Sequence, residues 1–144
     1  VIVLEERPPL YAEIDMRFHV AHRRGVLYTF GDTIYNPDGV DIPQPLMEHE
    51  EVHSLRQIAY PGIAGHYDGA AGVEGWWFRY LDSDAFRLAE ELPAHRAEYR
   101  AICREVKDRN QRDKWARVIA GRLSSSLYGK VVGTNDALRM VRAA

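Results

Sequence analysis

The amino-acid sequence predicts an α+β fold, a small antiparallel sheet beside several helices, in one domain over residues 1–144. Three observations carry that expectation. Apolar and polar residues alternate without a break from Ala12 to Val20; two short β-rich runs closed by turn residues follow; and apolar residues then recur at helical spacing through most of the chain.

In the first segment Ile14, Met16, Phe18 and Val20 fall on one side of the alternation and Glu13, Asp15, Arg17 and His19 on the other, the period of a half-buried strand. His22-Arg23-Arg24-Gly25 reads as a turn, residues 26–30 as a second strand and 33–35 as a third, separated by Gly31-Asp32 and closed by Asn36-Pro37-Asp38-Gly39. Pro45 suits the first turn of a helix predicted over 46–59, which stops before Tyr60-Pro61-Gly62. On that helix Leu46, His49, Glu50, His53 and Gln57 share a face, leaving Met47, Leu55 and Ile58 for the core. Residues 61–75, with glycine at 62, 65, 69, 72 and 75, read as a loop, and Trp76 to Tyr80 begins a short apolar piece. Ser83 or Asp84 caps a long helix predicted over 85–108, kinked or restarted at Pro93. A further helix carries Trp115, Ile119 and Leu123, and a last one starts near Thr134 to Asp136.

Composition narrows the function. At 144 residues, 46% hydrophobic and 28% charged, the chain can bury a core without staples. A net charge of -2 argues against a nucleic-acid-binding surface, and no apolar run is long enough to span a bilayer. The single cysteine, Cys103, excludes an internal disulfide and any cysteine-based zinc knuckle, and fits a reducing compartment.

His49-Glu50-Glu51-Val52-His53 matches H-E-x-x-H and falls on the predicted helix. Residues four apart lie about one turn from each other, so both imidazoles reach one ion. Neutral imidazole is a preferred zinc ligand, and Glu50 stands where a carboxylate takes a proton from water. A third ligand is required. Arg56 and Ala59 exclude the extended three-histidine pattern, which leaves His66 or Asp68 in the glycine-rich stretch, or Glu90-Glu91 on the long helix. Glu91 is favoured because Ala94, one turn on, is small enough to let two helices approach and share an ion.

Several strings together resemble a known group. They are Phe30-Gly31-Asp32-Thr33-Ile34-Tyr35-Asn36-Pro37, the H-E-x-x-H pentad with Gln57, Trp76-Trp77-Phe78-Arg79-Tyr80, Phe86-Arg87-Leu88 and Glu91-Leu92-Pro93-Ala94. Over roughly residues 26–99 the chain resembles small gluzincin-like zinc metallopeptidases, particularly the compact ones of phages and prophages, although Glu91 lacks the preceding Asn of the thermolysin-type signature. The resemblance implies a zincin-like active-site helix, one zinc ion on His49, His53 and Glu91, Glu50 as general base, a strand edge for a peptide or protein substrate, and a cytoplasmic (bacterial host) or virion location.

Tyr80 is the candidate oxyanion donor, with Tyr67 and Tyr99 as competitors. Trp76 and Trp77 read as core or pocket wall, and His95 as a histidine able to orient a ligand or simply packed on its helix. The expected function is zinc-dependent peptide-bond hydrolysis. The alternative is a catalytically silent zinc-binding structural or tail-associated protein, and peptidoglycan cross-links are a third substrate possibility with the same chemistry.

Overall fold

Tyr28-Thr29-Phe30 and Thr33-Ile34-Tyr35 are rich in β-branched and aromatic residues, and the Gly31-Asp32 pair between them supplies a two-residue turn. They form strands β2 (Tyr28–Phe30) and β3 (Thr33–Tyr35), antiparallel with Phe30 opposite Thr33. Gly31 sits at φ +62°, in the left-handed region, and a Cβ there would come within 3.3 Å of Val73. The computed structural model describes residues 1–63 and 71–143; His66, Tyr67 and Asp68 lie outside the described residues.

The sheet is mixed rather than wholly antiparallel. Ile2–Leu4 forms β1, parallel to β3, and the strand order is β1-β3-β2. β2 is therefore an edge strand, and it is shorter than expected because residues 26 and 27 precede the ladder.

The alternating segment is not a strand. Tyr11–Phe18 is helix α1, followed by a 3₁₀ turn at Val20–His22. The physical reason is visible in burial: Ile14 and Phe18, four apart, are 2% and 5% exposed, whereas Met16, which a strand would have buried with them, is 81% exposed. Each buried member of that pair contributes about 1.5–3 kcal/mol.

Five further helices complete the described residues: α2 (Gln44–Ile58), α3 (Gly72–Asp82), α4 (Asp84–Glu105), α5 (Arg109–Leu123) and α6 (Thr134–Arg142). The expected loop over 61–75 thus gives way at its end to α3, whose Gly75, Trp76, Trp77 and Tyr80 form the buried face. α4 runs unbroken through Pro93. The lost backbone bond is outweighed by a buried face of Glu90, Glu91, Ala94, His95, Ala97, Glu98 and Ala101. No helix among the described residues is long and apolar enough to cross a membrane.

Two apolar clusters hold these elements. An aromatic one joins Ile14, Phe18, Tyr28, Trp76, Trp77 and Tyr80; the other packs α4, α5 and α6 through Ile102, Ile119, Leu123 and Val141. α2 behaves in the opposite way from an ordinary amphipathic helix. Leu55 and Ile58, expected in the core, are 71% and 59% exposed, while His49, Glu50, His53, Ser54 and Gln57 are buried. Burying polar groups is costly unless they are paired, so this face needs partners, and α4 supplies them.

Candidate metal centre

α2 and α4 pack closely because Ala94, at 0% exposure, and Ala97 and Ala101 remove bulk from the facing side of α4. The four-residue spacing of His49 and His53 turns both imidazoles toward Glu91. Glu91 Oε2 lies 3.7 Å from His49 Nε2 and 3.3 Å from His53 Nε2, with His95 Nδ1 3.5 Å away. Tetrahedral zinc with bonds of about 2.0–2.2 Å sets neighbouring donor atoms about 3.3–3.6 Å apart, so the histidine–Glu91 separations have the scale of a coordination shell. His49, Glu91 and His95 bring one donor atom each within 4.8 Å of one another, a buried group that could hold a metal ion.

His53 and His95 both compete for a place beside His49 and Glu91. His95 Nδ1 lies 2.8 Å from its own helix's Glu91 carbonyl, which can only accept, so Nδ1 carries a proton and cannot ligate. That leaves His95 Nε2 as its available donor; His53 Nε2, 3.3 Å from Glu91 Oε2, has no such engagement, although His53 stands outside the group whose donor atoms all lie within 4.8 Å of one another. Among the described residues Glu91 Oε2 is buried without a hydrogen-bond partner, as suits an oxygen able to face a cation; His53 Nδ1, on the other side of its ring from Nε2, is buried without one as well. His95 Nε2 is equally unpartnered.

The charges around the cluster point the same way. Glu50, Glu91 and Glu98 are buried beside His49, and Arg122 answers only Glu98. Three carboxylates against one guanidinium leave two negative charges once His49 gives up its proton, the charge a divalent cation would balance. Burial pushes the His49 imidazole down, but its contacts with Glu91 and Glu98 raise it to about 9. Burial pushes the Glu91 carboxyl up, and His53, His49 and His95 pull it well below the usual carboxylate range. Burial, then the neighbouring His49, lowers His95 to about 3, so it stays neutral.

Sequence reasoning missed several supporting groups. Glu98 Oε1 accepts from His49 Nδ1 at 3.1 Å, which leaves Nε2 as the free ligand atom, and Arg122 in turn donates to Glu98 Oε2 at 2.6 Å. Burial raises Glu98, but His49 and Arg122 hold it at about 2. Its signal was available: seven residues after Glu91 is two turns along the same face. Thr29 Oγ1 donates to Glu50 Oε2 at 2.6 Å, a contact between β2 and α2 that no spacing announces. Glu50 Oε1 remains 4.0 Å from His49 Nε2.

Glu90, the alternative to Glu91, faces elsewhere: it accepts from Trp76 Nε1 and from Arg56 Nε. Tyr80 does not point at open space, because its hydroxyl donates to Glu91 Oε1. Burial and Glu91 together push the Tyr80 phenol well above its ordinary value. Tyr99 belongs to the other core, against Ile102 and Val141. Trp76 and Trp77 are buried and wall the site. Basic residues of α4 and α5 pair at the surface, Arg104 with Glu48 and Arg117 with Asp113.

The cluster opens into a cavity of about 360 Å³. Residues 23–29 form one wall, Trp76, Trp77 and Tyr80 another, and Leu127 and Tyr128 a third. The Tyr128 hydroxyl makes no hydrogen bond among the described residues, and its ring stands edge-on to His95 at 5.2 Å. Compared with protein-family models, curated proteins and solved structures, the chain matches none of them.

Proposed function

We propose that the protein is a zinc-dependent peptidase that uses His49, His53 and Glu91 as ligands and Glu50 as general base. The observation that carries this reading is the placement of Glu50: a buried carboxylate beside the ligand cluster, with one oxygen fixed by Thr29 and the other left toward His49 Nε2. A site that served structure alone would gain nothing from that carboxylate, whose burial is costly.

When bound, zinc supplies a Lewis acid that polarises a carbonyl and makes water more acidic. The chain's own residues do the rest. Glu98 holds the His49 ring in the tautomer that presents Nε2, and Tyr80 fixes one Glu91 oxygen so that the other faces the histidines. Glu50 Oε1 accepts the proton of attacking water and delivers it to the leaving amine. Tyr128 is the better donor for the developing oxyanion, because it lines the cavity and its hydroxyl makes no hydrogen bond among the described residues, whereas that of Tyr80 is engaged with Glu91.

A substrate would lie along the wall formed by residues 23–29. The Thr29 carbonyl on the β2 edge is already taken by Gln57 Nε2 and Trp77 Nε1, so strand pairing falls to Val26 and Leu27.

The test is hydrolysis of a mixed peptide panel, with and without chelator, by the wild-type protein and Glu50→Gln. Cleavage that stops with chelator, returns with zinc and is absent in Glu50→Gln while zinc stays bound is the expected result. Stoichiometric zinc with no cleavage of any peptide would favour the structural-protein alternative, and cleavage persisting after demonstrated metal removal would end the zinc mechanism.

A further inference from the structure

A second cavity, of about 490 Å³, adjoins the metal cleft and shares Phe18 and Arg23 with it. Five of its eight lining residues are of basic type, with no acidic one among them: Arg17, His19, His22, Arg23 and Lys130 surround Phe18, Ser126 and Gly129. Charge there is only partly neutralised. Asp84 is shared by Arg17 and Arg87, Asp15 is engaged with the Ala21 backbone amide, and among the described residues no carboxylate pairs with Arg23 or Lys130. Arg23 is instead held in place by Ser126.

The backbone of the groove is strained as well as charged. Only three non-glycine residues among those described have positive φ, and two of them, His19 at +54° and Lys130 at +55°, line this cavity. Non-glycine residues in the left-handed region are unfavourable and collect where function over-determines them. Gly129, also left-handed at +79°, keeps the floor bare: a Cβ there would stand 3.2 Å from Arg87 Nη1 and 3.6 Å from Arg17 Nη2. Arg87 is fully buried and spent on Asp84 and on the Tyr80, Leu81 and Tyr128 carbonyls, and Arg17 is paired with Asp84, so the cations left to meet a carboxylate over this floor are Arg23 and Lys130.

We infer that this groove is an acidic-side-chain subsite that selects peptide substrates carrying Glu or Asp on one side of the bond placed at the metal centre, an inference that rests on reading the adjoining cleft as a peptide-binding one. Arg23, at the junction of the two cavities, is the selecting residue, with Lys130 and Arg17 further along.

The experiment measures binding rather than turnover. Zinc-loaded Glu50→Gln protein is titrated into fluorescein-labelled peptides that carry four Glu, or four Gln, at either end of a common apolar centre, and anisotropy is followed. One of the Glu peptides should bind at least tenfold tighter than its Gln counterpart. In Arg23→Ala/Lys130→Gly, with zinc content unchanged, that preference should shrink to within twofold. Lys130→Gly alone removes a charge while relieving the left-handed strain, so it should raise the melting temperature and still lose affinity for the Glu peptide; this separates binding from folding. Equal affinity of the starting protein for Glu and Gln peptides, or a preference that survives in the double variant, overturns the inference. If the wild-type protein prefers the Glu peptide yet cleaves nothing, the groove stands and the peptidase reading falls. If it cleaves Glu and Gln peptides with equal KM, the peptidase reading stands and the groove falls.

Discussion

Three glutamates on one helix, Glu90, Glu91 and Glu98, have three different fates, and single substitutions separate them. Glu91 Oε2 meets the histidines within 3.7 Å, so Glu91→Ala should abolish measurable zinc binding. Glu98 only holds the His49 ring, so Glu98→Ala should weaken zinc by about 10–100-fold and leave it detectable by chelator competition. Glu90→Ala strands the Trp76 indole N–H and Arg56; it should bind zinc almost normally and lose about 1–3 kcal/mol of stability in a urea titration. At this scale the sequence was legible where spacing carries the information. His49, Glu50 and His53 follow from helical periodicity, and Ala94 marked the close approach that brings Glu91 in. Thr29, Arg122 and Tyr128 were illegible because they reach the site from β2, α5 and the 3₁₀ turn at Ser126–Tyr128, and long-range packing leaves no local pattern.

Elements were legible to the extent that one period dominated each segment. The helix carrying the histidines was expected over 46–59 and is Gln44–Ile58; the long helix was expected over 85–108 and is Asp84–Glu105. α1 was misread because Ile14 and Phe18 satisfy both an alternation and a four-residue repeat, and Met16 and Val20, which fit only the alternation, broke the tie the wrong way. α2 was misread in its facing, since an apolar face normally marks the core and here polar groups are buried to make a site. The unbroken course of α4 yields a prediction of its own. Pro93 is half-buried inside the helix and denies it one backbone bond, so Pro93→Ala should stabilise the protein by about 1–3 kcal/mol, read as a raised urea midpoint with zinc content unchanged.

At the scale of the whole molecule the buried site governs how stability responds to pH and metal. In the metal-free protein His95 titrates at about 3 instead of 6.5, so the unfolded chain binds its proton first. The His95 contribution is then full above 6.5 and falls as pH drops below it, by about 1.4 kcal/mol per unit. Glu98, at about 2 instead of 4.5, adds a loss of the same sign below 4.5. His49 has the opposite sign: raised from 6.5 to about 9, its contribution is whole below 6.5 and disappears as pH rises to 9. Urea midpoints of chelator-treated protein should therefore peak near pH 6.5 and fall on both sides. Zinc must displace the His49 proton, so its affinity should climb between pH 6.5 and 9. The α+β class was legible from the turn-bounded hairpin and the helical spacing that follows it; the parallel pairing of Ile2–Leu4 with β3 was not, because three exposed residues carry no alternation. Whether the α2–α4 seam holds zinc, as proposed, is measured directly by elemental analysis of protein purified without added metal, alongside Glu91→Ala. About one zinc per wild-type chain and a trace in the variant is the expected result. Wild-type protein that carries no zinc, and takes up none when one equivalent is supplied at pH 8, would contradict it.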